Sequence, residues 1–521
     1  MLQVLLLAFI FSFILGVGTF NEKNFRLAAS RANNVVSWAI NQYLHRKYPI
    51  RAAKVSIPTS PYQWPNGQGD IAKFLEGEEM SSRLQCSGKV YRIWSGMTPE
   101  IVLTTPEDVK TVFRDSDAHV KAINNNAGWL MGEILGKCLG LVSGDAWNRV
   151  HASVASAFTA SSISANISRI TEMTTEFVLN LHVEGNLDRC VLNPTSDLRM
   201  LPFWISAEHV YGLLPAEQRD ELQALIPLAE SVFNRMIQGG STRYSLSQYL
   251  PTETNRTLRN FKTRWGQFNN AVYERCVREG IAAPIIQMYD SMQNGQITYD
   301  QCLQTLHEIL FANLDVTIAG LAWNPLFLAA NQDTQAQIRE EIRTARADAE
   351  GKEDRWAKYL RKQGTLLAAS IMESARLKPA AAYSIAQSAP TSRLVGGFLI
   401  PAGTNFIVDT HALNIRHPYW GDDGAEYRPG RFMERKTWDM RYRYWRFGFG
   451  PRQCLGKILA DIILRVVVAY LVENYELSLM PGSTWSRNPQ TWIAEPTTKI
   501  RCAGLAVACD GARPKGTEIS S

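Results

Sequence analysis

Residues 447–456, FGFGPRQCLG, constrain this chain more than any other stretch. A lone cysteine sits among three glycines, a proline, an arginine and aromatic side chains, just before an apolar run over 458–472. Gly448 and Gly450 are free to take positive φ, so the backbone can fold tightly beneath a flat group. Pro451 stiffens the turn and removes a donor. A helix starting near Cys454 offers free N–H groups and its positive end to a sulfur anion. Phe447 is placed to keep water from that sulfur, and Arg452 to pair with a carboxylate. Each of these residue types has a role if Cys454 binds iron as a thiolate. A buried structural cysteine after a glycine turn is the competing reading.

Length and charge narrow the rest. A chain of 521 residues has room for about three domains and can bury a substantial core. Its net charge of +6 is modest and gives no reason to expect nucleic acid as a partner. Eight cysteines are scattered with no C-x-x-C pair. That argues against a zinc site or a disulfide framework and fits a reducing compartment.

Residues 1–20, MLQVLLLAFIFSFILGVGTF, carry no charged side chain and as a helix would cross about 30 Å of hydrocarbon. Lys23, Arg26, Arg31, Arg46, Lys47, Arg51 and Lys54 follow, which predicts an uncleaved anchor with the body of the protein in the cytosol. A cleaved signal peptide is the competing reading, disfavoured by the missing basic n-region. Asn166-Ile-Ser and Asn255-Arg-Thr are glycosylation acceptors by sequence, expected to stay bare in a cytosolic domain. Pro49, Pro58, Pro61 and Pro65 exclude one continuous helix over that segment. Short strands are expected at 90–94 and 101–104, joined by a turn at 96–99. A long helix is expected from about residue 300, with Leu303, Leu306, Leu310, Leu314, Thr317 and Leu321 at helical spacing. Pro325 should kink or end it.

The loop matches F-x-x-G-x-R-x-C-x-G at every specified position, and the chain thereby resembles the cytochrome P450 family. The resemblance runs from about residue 58 to 502 and implies a mainly α fold with a small β-rich lobe. It implies one large haem domain (66–508) after a transmembrane anchor (1–20) and a proline-rich linker and hinge (21–65), with a polar tail at 509–521. Haem b would be bound through Cys454 as the metal ligand, with Phe447, Arg452 and Gly456 completing the loop. Trp147 fits the family's W-x-x-x-R signature, whose tryptophan and arginine hold a haem propionate. The arginine position is His151 here, a weaker partner for a carboxylate.

FANLDVT, residues 311–317, stands where the family's long helix has A/G-G-x-D/E-T. Ala312 and Asp315 fit, Asn313 replaces the glycine, and Val316 replaces the oxygen-activating threonine. Thr317 comes one residue late, rotated by about 100° on an ideal helix. Asp315 and Thr317 are the resulting catalytic candidates. Glu373-Ser-Ala-Arg376 is the family's E-x-x-R, with both charges on one helix face. Pro429-Gly430-Arg431-Phe432 resembles its P-E-R-F. The family then implies a buried structural triad of Glu373, Arg376 and Arg431.

Residues 428–457 hold nine basic side chains against Glu434 and Asp439. This is either a solvated face or the docking face for the family's acidic flavoprotein reductase. The distal pocket is expected near 119–131, 309–317, 380–387 and 491–494. The resemblance implies a monooxygenase of the endoplasmic reticulum membrane that takes electrons from NADPH through that reductase. It would insert one oxygen atom into, or oxidatively cyclise, an apolar small molecule. FANLDVT and PYQWPNGQGD resemble fungal enzymes of secondary-metabolite clusters, among them those making sulfur-bridged diketopiperazines. A haem-thiolate isomerase or peroxygenase needing no reductase and a non-catalytic haem-binding protein are the alternatives.

Overall fold

The computed structural model describes residues 22–349, 353–436 and 438–505. The expected anchor at 1–20 and tail at 509–521 lie outside the described residues. Within the expected linker, Glu22–Lys47 is a single helix with His45, Arg46 and Lys47 in its last turn. That is where cations offset the exposed carbonyl end. It stops before Tyr48-Pro49, because a residue preceding proline is pushed out of helical backbone.

The small lobe is a five-stranded sheet. Val90–Ser95 and Thr98–Leu103 form an antiparallel hairpin, turned by Gly96 at φ 56°. Thr98–Leu103 then pairs in parallel with Asn405–Val408, which pairs antiparallel with Gln387–Ser388, and that with Val120–Lys121. The hairpin lies where the sequence places it, with the second strand starting three residues earlier. Sheet pairing thus ties Lys121 to a segment more than 260 residues later in the chain.

Apart from one three-stranded and two two-stranded sheets the rest is mainly helical, and one helix runs through its middle. A capping box at Thr298 and Gln301 starts it. It continues as α-helix over Tyr299–His307, as a wider π turn over Glu308–Ala312, and as α-helix again over Asn313–Ala330. It packs against Leu366–Leu377 and Lys457–Asn474, the helices that carry Glu373 and follow Cys454. Of the two outcomes expected at Pro325, a kink or an end, the end is excluded, because the helix runs on to Ala330. Proline removes the N–H that would serve the Leu321 carbonyl. The Asn324 side chain supplies a donor instead, at 3.4 Å to Leu321 O and 2.6 Å to Gly320 O.

Among the described residues this central helix alone is long and apolar enough to cross a membrane, and it is mostly buried in the core. Asn255 is buried, with its amide donated to the Ser247 and Leu250 carbonyls at 2.7 Å each. A sugar on Asn255 would break both of these bonds.

Candidate active site

The cysteine loop folds as its glycines allow. Gly448 and Gly450 have φ of 82° and 75°, and a Cβ on Gly450 would sit 2.2 Å from Ser116 Oγ. Cys454 N–H closes the loop on Phe447 O at 2.8 Å. Phe113, Trp445 and Phe449 pack edge to face behind it, with centroids 4.9–6.3 Å apart. The helix Lys457–Asn474 begins at Gly456, whose N–H hydrogen-bonds the sulfur. Burial pushes the Cys454 thiol up, opposed by that N–H and by the charges of Lys457 and Arg446. Cys454 keeps accessible surface although protein surrounds it closely enough to desolvate the thiol, so the sulfur is reachable by a ligand.

Arg452 turns inside. Its guanidinium donates to Ser143 Oγ at 3.0 Å and to the Val142 carbonyl, and lies 5.2 Å over the Trp147 ring. Burial pushes it down to about 10, and its Nε has no hydrogen-bond partner. Lys121 joins it, a residue the sequence reading did not single out. Its N–H donates to the same Ser143 Oγ, and its ammonium donates to Gln387 Oε1 at 2.6 Å. Burial pushes Lys121 down to about 7, with Arg452 adding to the shift. His151 stacks on Trp147 at 4.7 Å, and burial lowers it.

Two desolvated basic groups on neutral acceptors, one with an unpartnered Nε, make a place for anionic groups. These residues fit haem b, whose iron needs a soft anionic ligand and whose propionates need cations. Lys121 gave only a weak signal in sequence, because nothing local shows that sheet pairing buries it.

The distal candidates separate. Asp315 is taken up by Arg199, 2.5 Å from Oδ1, and by Trp492 Nε1, 3.0 Å from Oδ2. Arg199 also pairs with Glu230 at 2.6 Å. This cluster lines a polar cavity of about 590 Å³ shared with Phe233 and Glu495. Thr317 is buried and donates to Asn313 Oδ1, while Asn313 Nδ2 donates to Ser206 Oγ at 3.2 Å. Val316 points elsewhere and is 38 % exposed.

Glu373, Arg376 and Arg431 come together with no exposure at all. Glu373 Oε1 accepts from Arg376 at 2.8 Å, from Arg431 at 2.8 Å and from the Arg428 N–H at 3.0 Å. Asp423 adds a second carboxylate, 3.2 Å from Arg431. Arg376 also donates to Asn414 O, and the Asn414 side chain exchanges hydrogen bonds with the backbone of Trp445, two residues before Phe447. The cluster thereby fixes the approach to the cysteine loop.

The basic run is less free than its sequence suggests. Arg428, Arg431, Arg443 and Arg446 are ion-paired, and Arg452 faces inward. Arg435 stacks on Tyr419 and Trp420. Among the described residues, Lys436, Arg441 and Lys457 have no carboxylate partner.

Comparison with known proteins agrees with this arrangement. A family model for cytochrome P450 matches residues 73–502. The chain is 47% identical over 469 residues to cytochrome P450 monooxygenase aclC of Aspergillus oryzae, covering 88% of this chain and 95% of that one. It is 44% identical to monooxygenase asaD of Aspergillus flavus, covering 92% and 93%. It is 39% identical to monooxygenase gliC of Aspergillus fumigatus, covering 90% and 93%. The chain therefore belongs to the cytochrome P450 family of haem-thiolate monooxygenases.

Proposed function

We propose that the protein is a monooxygenase of fungal secondary metabolism that takes electrons from NADPH through a reductase. One oxygen atom of O2 enters an apolar small molecule and the other leaves as water, or both leave as water when the substrate gives up two hydrogens in ring closure. The glycine-framed Cys454 loop, closed on Phe447 O at the start of a helix, together with the desolvated Arg452 and Lys121 that meet at Ser143 Oγ, is the observation that carries this reading. When bound, haem supplies the oxygen activation, with the thiolate's electron donation favouring O–O cleavage. Cys454 would hold the iron, and Arg452, Lys121, Trp147 and His151 the propionates. Phe447 and the aromatic packing behind the loop keep water from the sulfur.

In this reading Asp315 draws protons from solvent through the polar cavity, and Thr317 or a polar group of the substrate passes them on. The substrate class favoured is a diketopiperazine, which rests on the FANLDVT and PYQWPNGQGD resemblance. Residues 1–20 would anchor the chain in the endoplasmic reticulum membrane. Exposed Val35 and Trp38 on Glu22–Lys47, with Leu246 and Tyr249, support an apolar contact with the bilayer. Expression with a fungal reductase and mass spectrometry of host metabolites tests the reading: NADPH-dependent gain of one oxygen, or loss of two hydrogens, is expected. Turnover without NADPH would favour the isomerase or peroxygenase alternative, which Val316 motivates.

A further inference from the structure

The central helix is buried on most of its circumference, and what it leaves open is informative. Leu310, Phe311, Leu314, Thr317, Ile318 and Ala319 are buried, whereas Glu308, Ile309, Ala312, Asn313, Asp315, Val316 and Gly320 are not, and of these Glu308, Ala312, Val316 and Gly320 recur every four residues. Four-residue spacing makes these one stripe. Its end at Gly320 lies against Leu464 of the helix that follows Cys454, 3.6 Å from where a Cβ would be. Glu308 is the one charged member of this stripe, on the helix that packs against the helix following Cys454. The charge of Glu308 acts on Lys121, Arg452 and Cys454 alike. Asp315, the carboxylate the family motif highlights, is held elsewhere by Arg199 and Trp492.

The site is built to hold this carboxylate. Glu308 opens the π turn Glu308–Ala312, a wide turn of the kind found at functional sites. Glu308 Oε2 accepts from Gly140 N–H at 3.0 Å, and a Cβ on residue 140 would lie 2.1 Å from Oε1, so a side chain there would displace the group. The Cys138 thiol bonds the carboxylate as well. A carboxylate has about four acceptor sites, so two contacts leave capacity for a ligand. Ile309, Ala312 and Val316 beside it offer only apolar contact.

We propose that Glu308 determines substrate choice by accepting a hydrogen bond from an amide or ammonium N–H of the molecule oxidised beside Cys454. The inference rests on the monooxygenase reading above and deepens it: the substrate is apolar except for an N–H donor.

Haem-loaded, full-length wild type, Glu308→Gln and Glu308→Leu serve as the test. Each is first checked for the thiolate-type Soret band of its reduced carbon-monoxide complex and for binding of 4-phenylimidazole. Absence of that band in wild type would overturn the site reading itself, and the inference with it. Dissociation constants are then measured by spectral titration for two probe pairs: cyclo(Phe-Phe) with its N,N′-dimethyl derivative, and acetanilide with N-methylacetanilide.

Wild type should favour the N–H member by about 10- to 100-fold. Glu308→Leu should bind both members alike. Glu308→Gln keeps an oxygen on Gly140 N–H and so retains the fold, but it turns an NH2 toward the ligand and should lose the preference too. No N–H preference in wild type, no binding of either N–H probe, or a preference that survives in both variants overturns the proposal.

Discussion

Asp315 and Val316 are adjacent in sequence, yet one is locked into an ion pair with Arg199 and the other is left open, without a polar group to offer. A motif read as a linear string cannot show this, because successive helix residues differ by about 100° in direction. If Asp315 feeds protons to the reaction, Asp315→Asn should slow product formation by roughly 10²–10⁴-fold, the usual worth of a general acid or base. Thr317→Ala should chiefly lower product per NADPH, with the difference appearing as peroxide. Thr317 already spends its hydroxyl on Asn313, so unchanged coupling in that variant would assign the relay to the substrate. Cys454→Ala should abolish the thiolate-type Soret band of the reduced carbon-monoxide complex. A variant that keeps the band would exclude Cys454 as the ligand.

Among the elements, the ones carrying local chemistry were the most legible. The cysteine loop, the E-x-x-R helix and the hairpin at 90–103 all follow from turn residues and spacing within a dozen positions. What was not legible depends on distance in sequence. Arg452 reaches Val142 and Ser143 about 310 positions away, and Lys121 is buried by pairing with Gln387–Ser388. At Pro325 the helix runs on because a neighbouring amide, Asn324, restores the donor that proline removes. Asn324→Leu should therefore destabilise the helix by about 1–3 kcal/mol, the cost of an unserved buried carbonyl. Denaturant unfolding of the holoenzyme would measure it. Arg431→Leu leaves Glu373 with one fewer cation in a fully buried cluster and should cost about 3–5 kcal/mol. Since the same cluster steadies the backbone before Phe447, haem should also be lost faster to a scavenging apoprotein.

For the molecule as a whole, acid is the expected weakness. Burial pushes His307 down to about 3 and His411 to about 4. The unfolded chain takes up their protons from pH 6.5 downward while the fold does not, so stability is complete above 6.5 and falls as pH drops toward 4 and 3. The melting temperature should decline between pH 7 and 4, less steeply in His307→Phe.

The lobes are joined by a buried clasp. Asn66 and Asp70, both in PYQWPNGQGD, receive the connection between Ala216–Gln238 and Glu253–Glu279. Asn66 accepts from Gly240 N–H at 2.8 Å, and Asp70 pairs with Arg243, whose guanidinium also donates to Asn126 O. Both charged side chains are within 7% of full burial. The helix that ends at this clasp carries Glu230 and Phe233 into the cavity beside Asp315. Arg243→Ala should lower the melting temperature, because it strands Asp70 at a cost of about 3–5 kcal/mol. It should also speed both association and dissociation of an azole in stopped-flow measurements, with little change in their ratio. Asp70→Asn keeps an acceptor for Arg243 and should do the same more weakly. A lower melting temperature with unchanged ligand kinetics would mean that the clasp stabilises the lobes without governing ligand entry.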